Sequence, residues 1–311
     1  MHILLTGASG FLGRHIAERI MRNDSFELVA AVRANIDLPV AQVCIPDGLD
    51  HDTDWSAALK GQDIVIHTAA RAHILKEDFA DPLAEYRRVN VAGTLALARQ
   101  AVKIGVKRFI FISSIGVNGN INTVPFTDKD LPAPAEPYAL SKWEAEQGLL
   151  DLASNSDMEV VIIRPPLVYG PAAPGNFGSL VRWVGKGIPL PLGAIHNKRT
   201  LVSVDNLVDL IVRCIDHPAA ANQVFLAGDG EDVSTTELLR RVGLAMGKPT
   251  RLVPIPAGIL QFGATLVGKK AMAQRLLGSL QVDISKTCEM LDWKPPYTVD
   301  EGLRRCFEKT D

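Results

Sequence analysis

The sequence predicts an α/β fold: a doubly wound parallel sheet followed by a smaller, less regular region. Three observations predict it. Short apolar runs recur at residues 3–5, 28–32, 64–66, 109–112 and 160–163, each continuously apolar, as strands buried on both faces require. Helical patterns separate these runs at βαβ spacing. A glycine-rich turn, Thr6-Gly7-Ala8-Ser9-Gly10-Phe11-Leu12-Gly13, joins the first run to the first helical pattern.

The elements follow in order. An amphipathic pattern over 12–22 predicts the first helix, and 90–102 and 139–152 predict two more. Residues 165–191 are rich in Pro and Gly with little helical periodicity, and mark the departure from the sheet. A helix over 207–215 and a strand over 224–226 return to it. Ser234-Thr235-Thr236-Glu237 reads as a capping box. The resulting domains are 1–168 with 201–227, and 169–200 with 228–311. The least polar stretch, 253–268, is broken by Pro254, Pro256, Gly258, Gln261 and Gly263, too short to span a bilayer, and predicts a buried or lid helix.

Composition bounds the function. Hydrophobic residues make up 47% and charged residues 22% of the 311, so a large core is available and disorder is not a reasonable class. Lys plus Arg number 33 against 35 Asp plus Glu, a net charge of −2, which gives no whole-chain attraction for nucleic acid or anionic lipid and leaves only local patches. Cys44, Cys214, Cys288 and Cys306 stand far apart, without metal-ligand or disulfide-framework spacing. No metal, no membrane insertion and a reducing, cytoplasmic setting are expected.

Glycines at 7, 10 and 13 suit a dinucleotide. The first permits the tight turn, the second lets a pyrophosphate approach the backbone, and the third lets the helix pack on the strand. An acidic residue ending the second strand would bind the ribose of NAD; here Ala30-Ala31-Val32-Arg33 has none. Arg33, with Arg14 after the last glycine, suits the 2′-phosphate of NADP. NADP(H) is therefore favoured and NAD(H) remains open, since Arg33 also fits a solvated loop.

Tyr138 and Lys142 stand four residues apart, one helical turn on one face, behind Pro137. An ammonium beside a phenol lowers its pKa, which makes Tyr138 a candidate acid/base. Ser113 and Ser114 end the 109–112 strand on the edge where open α/β sheets bind ligands. A hydroxyl there can hold a substrate oxygen, or simply cap a turn.

These residues carry a resemblance. TGASGFLG at 6–13, HTAA at 67–70, VNVAGT at 89–94, FISSIGVNG at 111–119, YALSK at 138–142, RPPLVYGP at 164–171 and KRTLVSVDN at 198–206 together resemble the extended short-chain dehydrogenases/reductases of the NAD-dependent epimerase/dehydratase family. The resemblance implies a Rossmann domain plus a smaller mixed C-terminal domain that binds a nucleoside-diphosphate sugar. It makes Tyr138 the acid/base, Lys142 the ligand of the nicotinamide ribose, and Ser114, beside Ser113, the contact to the reacting oxygen. Phe11 and Leu12 in the glycine turn, with Ala69 and Ala70, would line the cofactor. Asn176 and Phe177 would meet the nucleotide base, and Arg199 and Arg275 the diphosphate. His67, Arg71 and His73 lie near the cofactor edge without an assigned role. A homodimer is implied, with Trp143 near its face.

Ile115 and Gly116 stand where the family's 4,6-dehydratases carry an Asp-Glu pair, which disfavours dehydration. Asn118 replaces the tyrosine usual in epimerases, and Val32 an acidic residue. The closest branch is the bacterial UDP-sugar enzymes of surface-polysaccharide synthesis. The leading expectation is NADPH-dependent reduction of a 4-keto-6-deoxy UDP-N-acetylhexosamine to UDP-N-acetylquinovosamine. The alternative is 4-epimerisation of UDP-glucose or UDP-N-acetylglucosamine. A non-catalytic dinucleotide sensor is a remote third, opposed by the Tyr and Lys behind Ser114.

Overall fold

Seven short strands lie parallel in the order β3-β2-β1-β4-β5-β6-β9 in the computed structural model, which describes residues 1–72, 81–266, 268 and 270–308. They are β1 (His2–Thr6), β2 (Glu27–Val32), β3 (Ala41–Cys44), β4 (Ile64–His67), β5 (Arg108–Ile112), β6 (Glu159–Arg164) and β9 (Gln223–Leu226). The helices between them are α1 (Phe11–Ile20), the short α2 (Ser56–Leu59), α3 (Pro82–Tyr86), α4 (Thr94–Ile104), α5 (Pro137–Ser154), α6 (Gly175–Gly185) and α7 (Val204–Asp216). A π-helical segment, Arg87–Gly93, joins α3 to α4 without a break.

The apolar runs explain the sandwich. In β1, Ile3 and Leu5 face one layer with Ile16, Ile20, Leu207 and Ile211, while Leu4 faces the other with Leu97, Ala101 and Leu149. A strand covered on both faces has no solvent side and therefore no alternation. Trp293, from beyond the sheet, closes the first layer.

A second sheet, in the order β10-β8-β7, comprises β7 (Leu167–Tyr169), β8 (Arg199–Ser203) and β10 (Asp232–Val233). With α6, α8 (Thr235–Ala245) and α12 (Val299–Arg305) it encloses a separate core around Phe177, Leu201, Leu239 and Leu303. The remaining helices are α9 (Ala257–Leu266), α10 (Lys270–Leu277) and α11 (Ser285–Leu291). Buried Asp229 ties this sheet to α7: it accepts from the Tyr169 hydroxyl at 2.8 Å, the Ser203 amide at 2.9 Å and the Asn206 amide at 2.7 Å. Burial still raises its carboxyl to about 6.

Three expectations change. The Pro- and Gly-rich 165–191 stretch holds β7 and α6; the α6 pattern is masked by glycines, one of which, Gly178, would press a Cβ to 2.4 Å from the Ala173 carbonyl. The boundary expected at 201 falls inside β8, whose partners β7 and β10 are both in the small sheet. Within 253–268 the expected helix forms as α9, Ala257–Leu266, but none of its residues is buried, so the buried alternative does not hold.

Gly7 and Gly13 fix the first turn by close approach. Gly7 has φ +77°, and a Cβ there would lie 2.5 Å from Thr68 Oγ1 and 2.8 Å from the Ala69 amide. A Cβ on Gly13 would lie 2.1 Å from the Gly7 carbonyl oxygen, so α1 seats on the turn only without a side chain. Gly10 is exposed, and a Cβ there would meet only that same oxygen, at 3.2 Å. Gly13→Ala should therefore cost about 1–3 kcal/mol or more in urea unfolding, as overpacked sites do, and Gly10→Ala clearly less.

Candidate active site

The carboxyl ends of β1, β4 and β5 meet at one edge of the large sheet. β1 delivers the glycine turn, with half-buried Phe11 and Leu12 and with Arg14 on the solvent side of α1. β4 delivers half-buried Ala69 and exposed Ala70. β2 ends beside β1 and leaves Arg33 exposed, its side chain close to Gly48. This is the switch point where doubly wound sheets take ligands, and the glycine turn opens on it with the N-terminus of α1.

β5 ends in the two serines. The buried Ser113 hydroxyl has no hydrogen-bond partner among the described residues. Such an orphan is uncommon and marks a place where a further polar group fits. Ser114 is half-buried, and its Oγ accepts from the Gly116 amide at 3.1 Å, capping the short Ile115–Val117 turn. The hydroxyl proton stays free for another acceptor. The capping expectation and the functional one are thus compatible in Ser114.

α5 sets its first turn, which carries Tyr138, against the serine turn, and Lys142 over Phe111 of β5. A Cβ on Gly116 would lie 3.1 Å from Ala139 Cβ and 3.3 Å from Ser114 Oγ, so the serine turn and the first turn of α5 are in contact. The Tyr138 ring meets Tyr86 edge-on, centroids 5.8 Å apart. Lys142 is buried, with Nζ 3.9 Å from the centroid of the Phe111 ring and no hydrogen-bond partner among the described residues.

Burial controls both protonation states. Lys142 is lowered to about 7, desolvation outweighing the favourable charge of Glu146. Tyr138 is raised to about 12, by burial first and then by Tyr86. The expected lowering of the phenol pKa by Lys142 is therefore not found; burial raises it instead. A lysine close to losing its own proton is a poor stabiliser of phenolate. The ammonium needs hydroxyl acceptors, and a ribose diol over Phe111 has that chemistry.

Several residues that hold this edge were not singled out from sequence. Asn90, in the π-helical segment, accepts from the Arg71 amide at 2.8 Å and donates to the Arg71 carbonyl and to Ser141 Oγ, both at 3.0 Å. It clamps the loop after β4 to α5, and the VNVAGT motif was its signal. Arg71 also pairs with Glu85 at 2.6 Å. His67 is buried between Thr6 Oγ1 at 2.7 Å and Thr94 Oγ1 at 2.9 Å. Burial, with the charge of Lys142, lowers it to about 3, so it stays neutral and serves packing. His73 lies outside the described residues.

A buried ion pair locks α5 in place. Arg164, ending β6, donates to both oxygens of Glu146 at 3.0 and 2.6 Å, and to Asn118 Oδ1 at 2.9 Å. The two side chains are 5% and 0% exposed. Asn118 in turn donates to the Thr127 carbonyl at 3.0 Å.

On the second sheet, Arg199 and Arg275 come together: Arg199 Nη1 donates to the Arg275 carbonyl at 2.6 Å and to the Gly278 carbonyl at 3.1 Å. Arg275 bonds Glu136, the residue before α5, at 2.6 Å. Both arginines thus approach the Tyr138 end of α5. Asn176 is exposed at the start of α6, whereas the Phe177 ring is packed in the core 5.5 Å from the Tyr169 ring. Phe177 can offer a ligand only its backbone.

A Rossmann-type sheet carrying a Ser, a Tyr and a Lys at this edge defines an enzyme of the extended short-chain dehydrogenase/reductase class, taking an NAD(P) dinucleotide. The chain belongs to the NAD dependent epimerase/dehydratase family, whose model matches residues 3–228. It is 50% identical over 306 residues to a UDP-glucose 4-epimerase of Vibrio cholerae, covering 97% of this chain and 93% of the other. It is 28% identical to the N-acetyl-α-D-glucosaminyl-diphospho-ditrans,octacis-undecaprenol 4-epimerase of Escherichia coli O157:H7, covering 99% and 94%. The fold matches the crystal structure of UDP-N-acetylglucosamine 4-epimerase from Bacillus cereus with TM-score 0.81 at 20% identity, over 98% of each chain.

Glu146→Ala should destabilise the protein by about 3–5 kcal/mol, because Arg164 is left buried and unpaired. Replacing both residues by apolar ones (Glu146→Leu with Arg164→Met) should recover much of that loss in denaturant unfolding.

Proposed function

We propose that the chain is a UDP-sugar 4-epimerase. The observation that carries this reading is the 50% identity, across almost the full length, to an enzyme named UDP-glucose 4-epimerase. The site supports it. Dehydration would need a carboxylate at 115 or 116. Ile115 is buried in a cluster with Leu226 and Leu280, and the space beside Gly116 is filled by Ala139.

A bound nicotinamide supplies the hydride acceptor and donor at the sugar C4. Tyr138 takes the proton from the C4 hydroxyl and returns it, and Ser114 Oγ hydrogen-bonds the same oxygen. Lys142 holds the nicotinamide ribose; satisfied by its hydroxyls, the ammonium stays charged and draws the Tyr138 pKa down. The large-sheet domain holds the dinucleotide, with Gly7, Gly10, Gly13, Phe11, Leu12, Ala69 and Ala70 against it. The second domain holds the UDP-sugar, with Arg199 and Arg275 on the diphosphate and Asn176 and the Phe177 backbone near the base. A homodimer built on the face of α5 that carries Trp143 completes the reading.

NADP is the proposed cofactor. Arg33 stands exposed beyond β2 with no carboxylate in its place, and a 2′-phosphate on Arg33 and Arg14 adds hold on a cofactor that an epimerase must retain. The same arginine favours the second reading, reduction of a 4-keto-6-deoxy UDP-N-acetylhexosamine to UDP-N-acetylquinovosamine, because NADPH is a common reductant.

Interconversion of UDP-glucose and UDP-galactose without net cofactor consumption is the expected result, measured by product NMR. Stoichiometric NADPH oxidation with a 4-keto sugar would select the reductase instead. Tyr138→Phe should lower turnover by at least about a hundredfold, the usual worth of an acid/base, with unfolding unchanged. In a binding titration NADP should bind tighter than NAD, and Arg33→Ser should erase that difference; equal affinities in the wild type would refute the preference.

A further inference from the structure

We propose that the chain docks on an anionic lipid bilayer through the outer face of α9. The helix, AGILQFGATL, has no charged residue. Ala257, Leu260 and the half-buried Ala264 lie on the side turned to the protein, the first two packed on the core of the second sheet. Ile259, Phe262 and Leu266, spaced i, i+3, i+7, form the opposite side and are 63%, 68% and 72% exposed. A surface helix ordinarily turns a polar face to water; α9 has only Gln261 and Thr265 as polar residues, and its exposed side formed by Ile259, Phe262 and Leu266 is an apolar patch that calls for a cover.

Charge identifies the cover. From 238 to 282 the sequence contains no Asp or Glu and seven Lys or Arg, of which Arg241 and Arg275 pair with carboxylates outside the stretch. Arg240, Lys248 and Arg251 are exposed and form no ion pair among the described residues. An apolar helix face within a basic, acid-free segment is complementary to anionic headgroups over acyl chains. A second copy of the chain, paired symmetrically on this face, would bring two identical basic segments together. Docking is superficial: α9 has ten residues, about 15 Å at 1.5 Å per residue, and among the described residues no helix is long and apolar enough to cross a membrane. α9 packs against α10, whose Arg275 bonds Glu136 two residues before Tyr138.

Co-sedimentation tests this, using vesicles of phosphatidylglycerol in phosphatidylethanolamine against vesicles of phosphatidylcholine alone. The full chain should sediment with the first and much less with the second. The triple variant Ile259→Gln, Phe262→Gln, Leu266→Gln should reduce binding about tenfold or more. Arg240→Glu with Arg251→Glu should reduce it similarly, and raised salt should weaken the wild type. All five positions are exposed, so unfolding midpoints and lipid-free turnover of UDP-sugar should not move. No sedimentation with phosphatidylglycerol, equal binding to both vesicles, or unchanged binding by the triple variant overturns the proposal. So does an oligomer in sedimentation velocity that the triple variant dissolves while vesicles fail to bind, which assigns the face to a second copy.

Discussion

The ion pair between Arg164 and Glu146 is the constraint on which the candidate site depends. Each ion loses several kcal/mol of hydration when buried, and only close geometry and further hydrogen bonds offset that. Both are present: two bonds join the side chains, and Asn118 takes a third guanidinium proton. Arg164 ends β6, Glu146 lies one turn beyond Lys142 on α5, and Asn118 follows the serine turn. One buried cluster therefore ties β6 to the two segments that carry Ser114, Tyr138 and Lys142. It also gives Asn118 a physical role, where sequence comparison read that position only as a departure from a tyrosine.

A second constraint acts through desolvation. Among the described residues Lys142 is held over Phe111 without a hydrogen-bond acceptor, and Tyr138 against Tyr86 without one. Both lean toward their neutral forms, the lysine to about 7 and the tyrosine to about 12. Spacing alone suggested the opposite for tyrosine, because a helical pattern reveals that two groups share a face but not how dry that face is. The chemistry of the pair is set by what binds beside it. Neutral His67 beneath them adds no competing charge.

Legibility in the sequence followed the physics of each element. Strands buried on both faces wrote themselves as apolar runs, and the Gly7–Gly13 contact wrote itself as glycines at both ends of the turn. β3 was missed because an edge strand with half-exposed Ala41-Gln42-Val43-Cys44 carries no such run. α6 was hidden by glycines needed for close approach at Ala173. Tyr138, Lys142 and Ser114 could be singled out because the proposed chemistry demands particular residue types at particular spacing. The Asn90 clamp and the Glu146–Arg164 lock were not, since each joins positions far apart in the chain, and an Asn or Glu in isolation carries no sign of its partner.

The second sheet adds an electrostatic step to the same logic. Arg199 spends one guanidinium nitrogen on the carbonyls of Arg275 and Gly278, and burial lowers its pKa. Arg275 lies against it and holds Glu136. The Arg199 guanidinium meets the Arg275 backbone while the Arg275 side chain reaches Glu136, so a chain of bonds runs from β8 through α10 to the residue that precedes α5. Charge near Arg275 and the start of α5 are therefore linked through the two hydrogen bonds that Arg275 gives to Glu136.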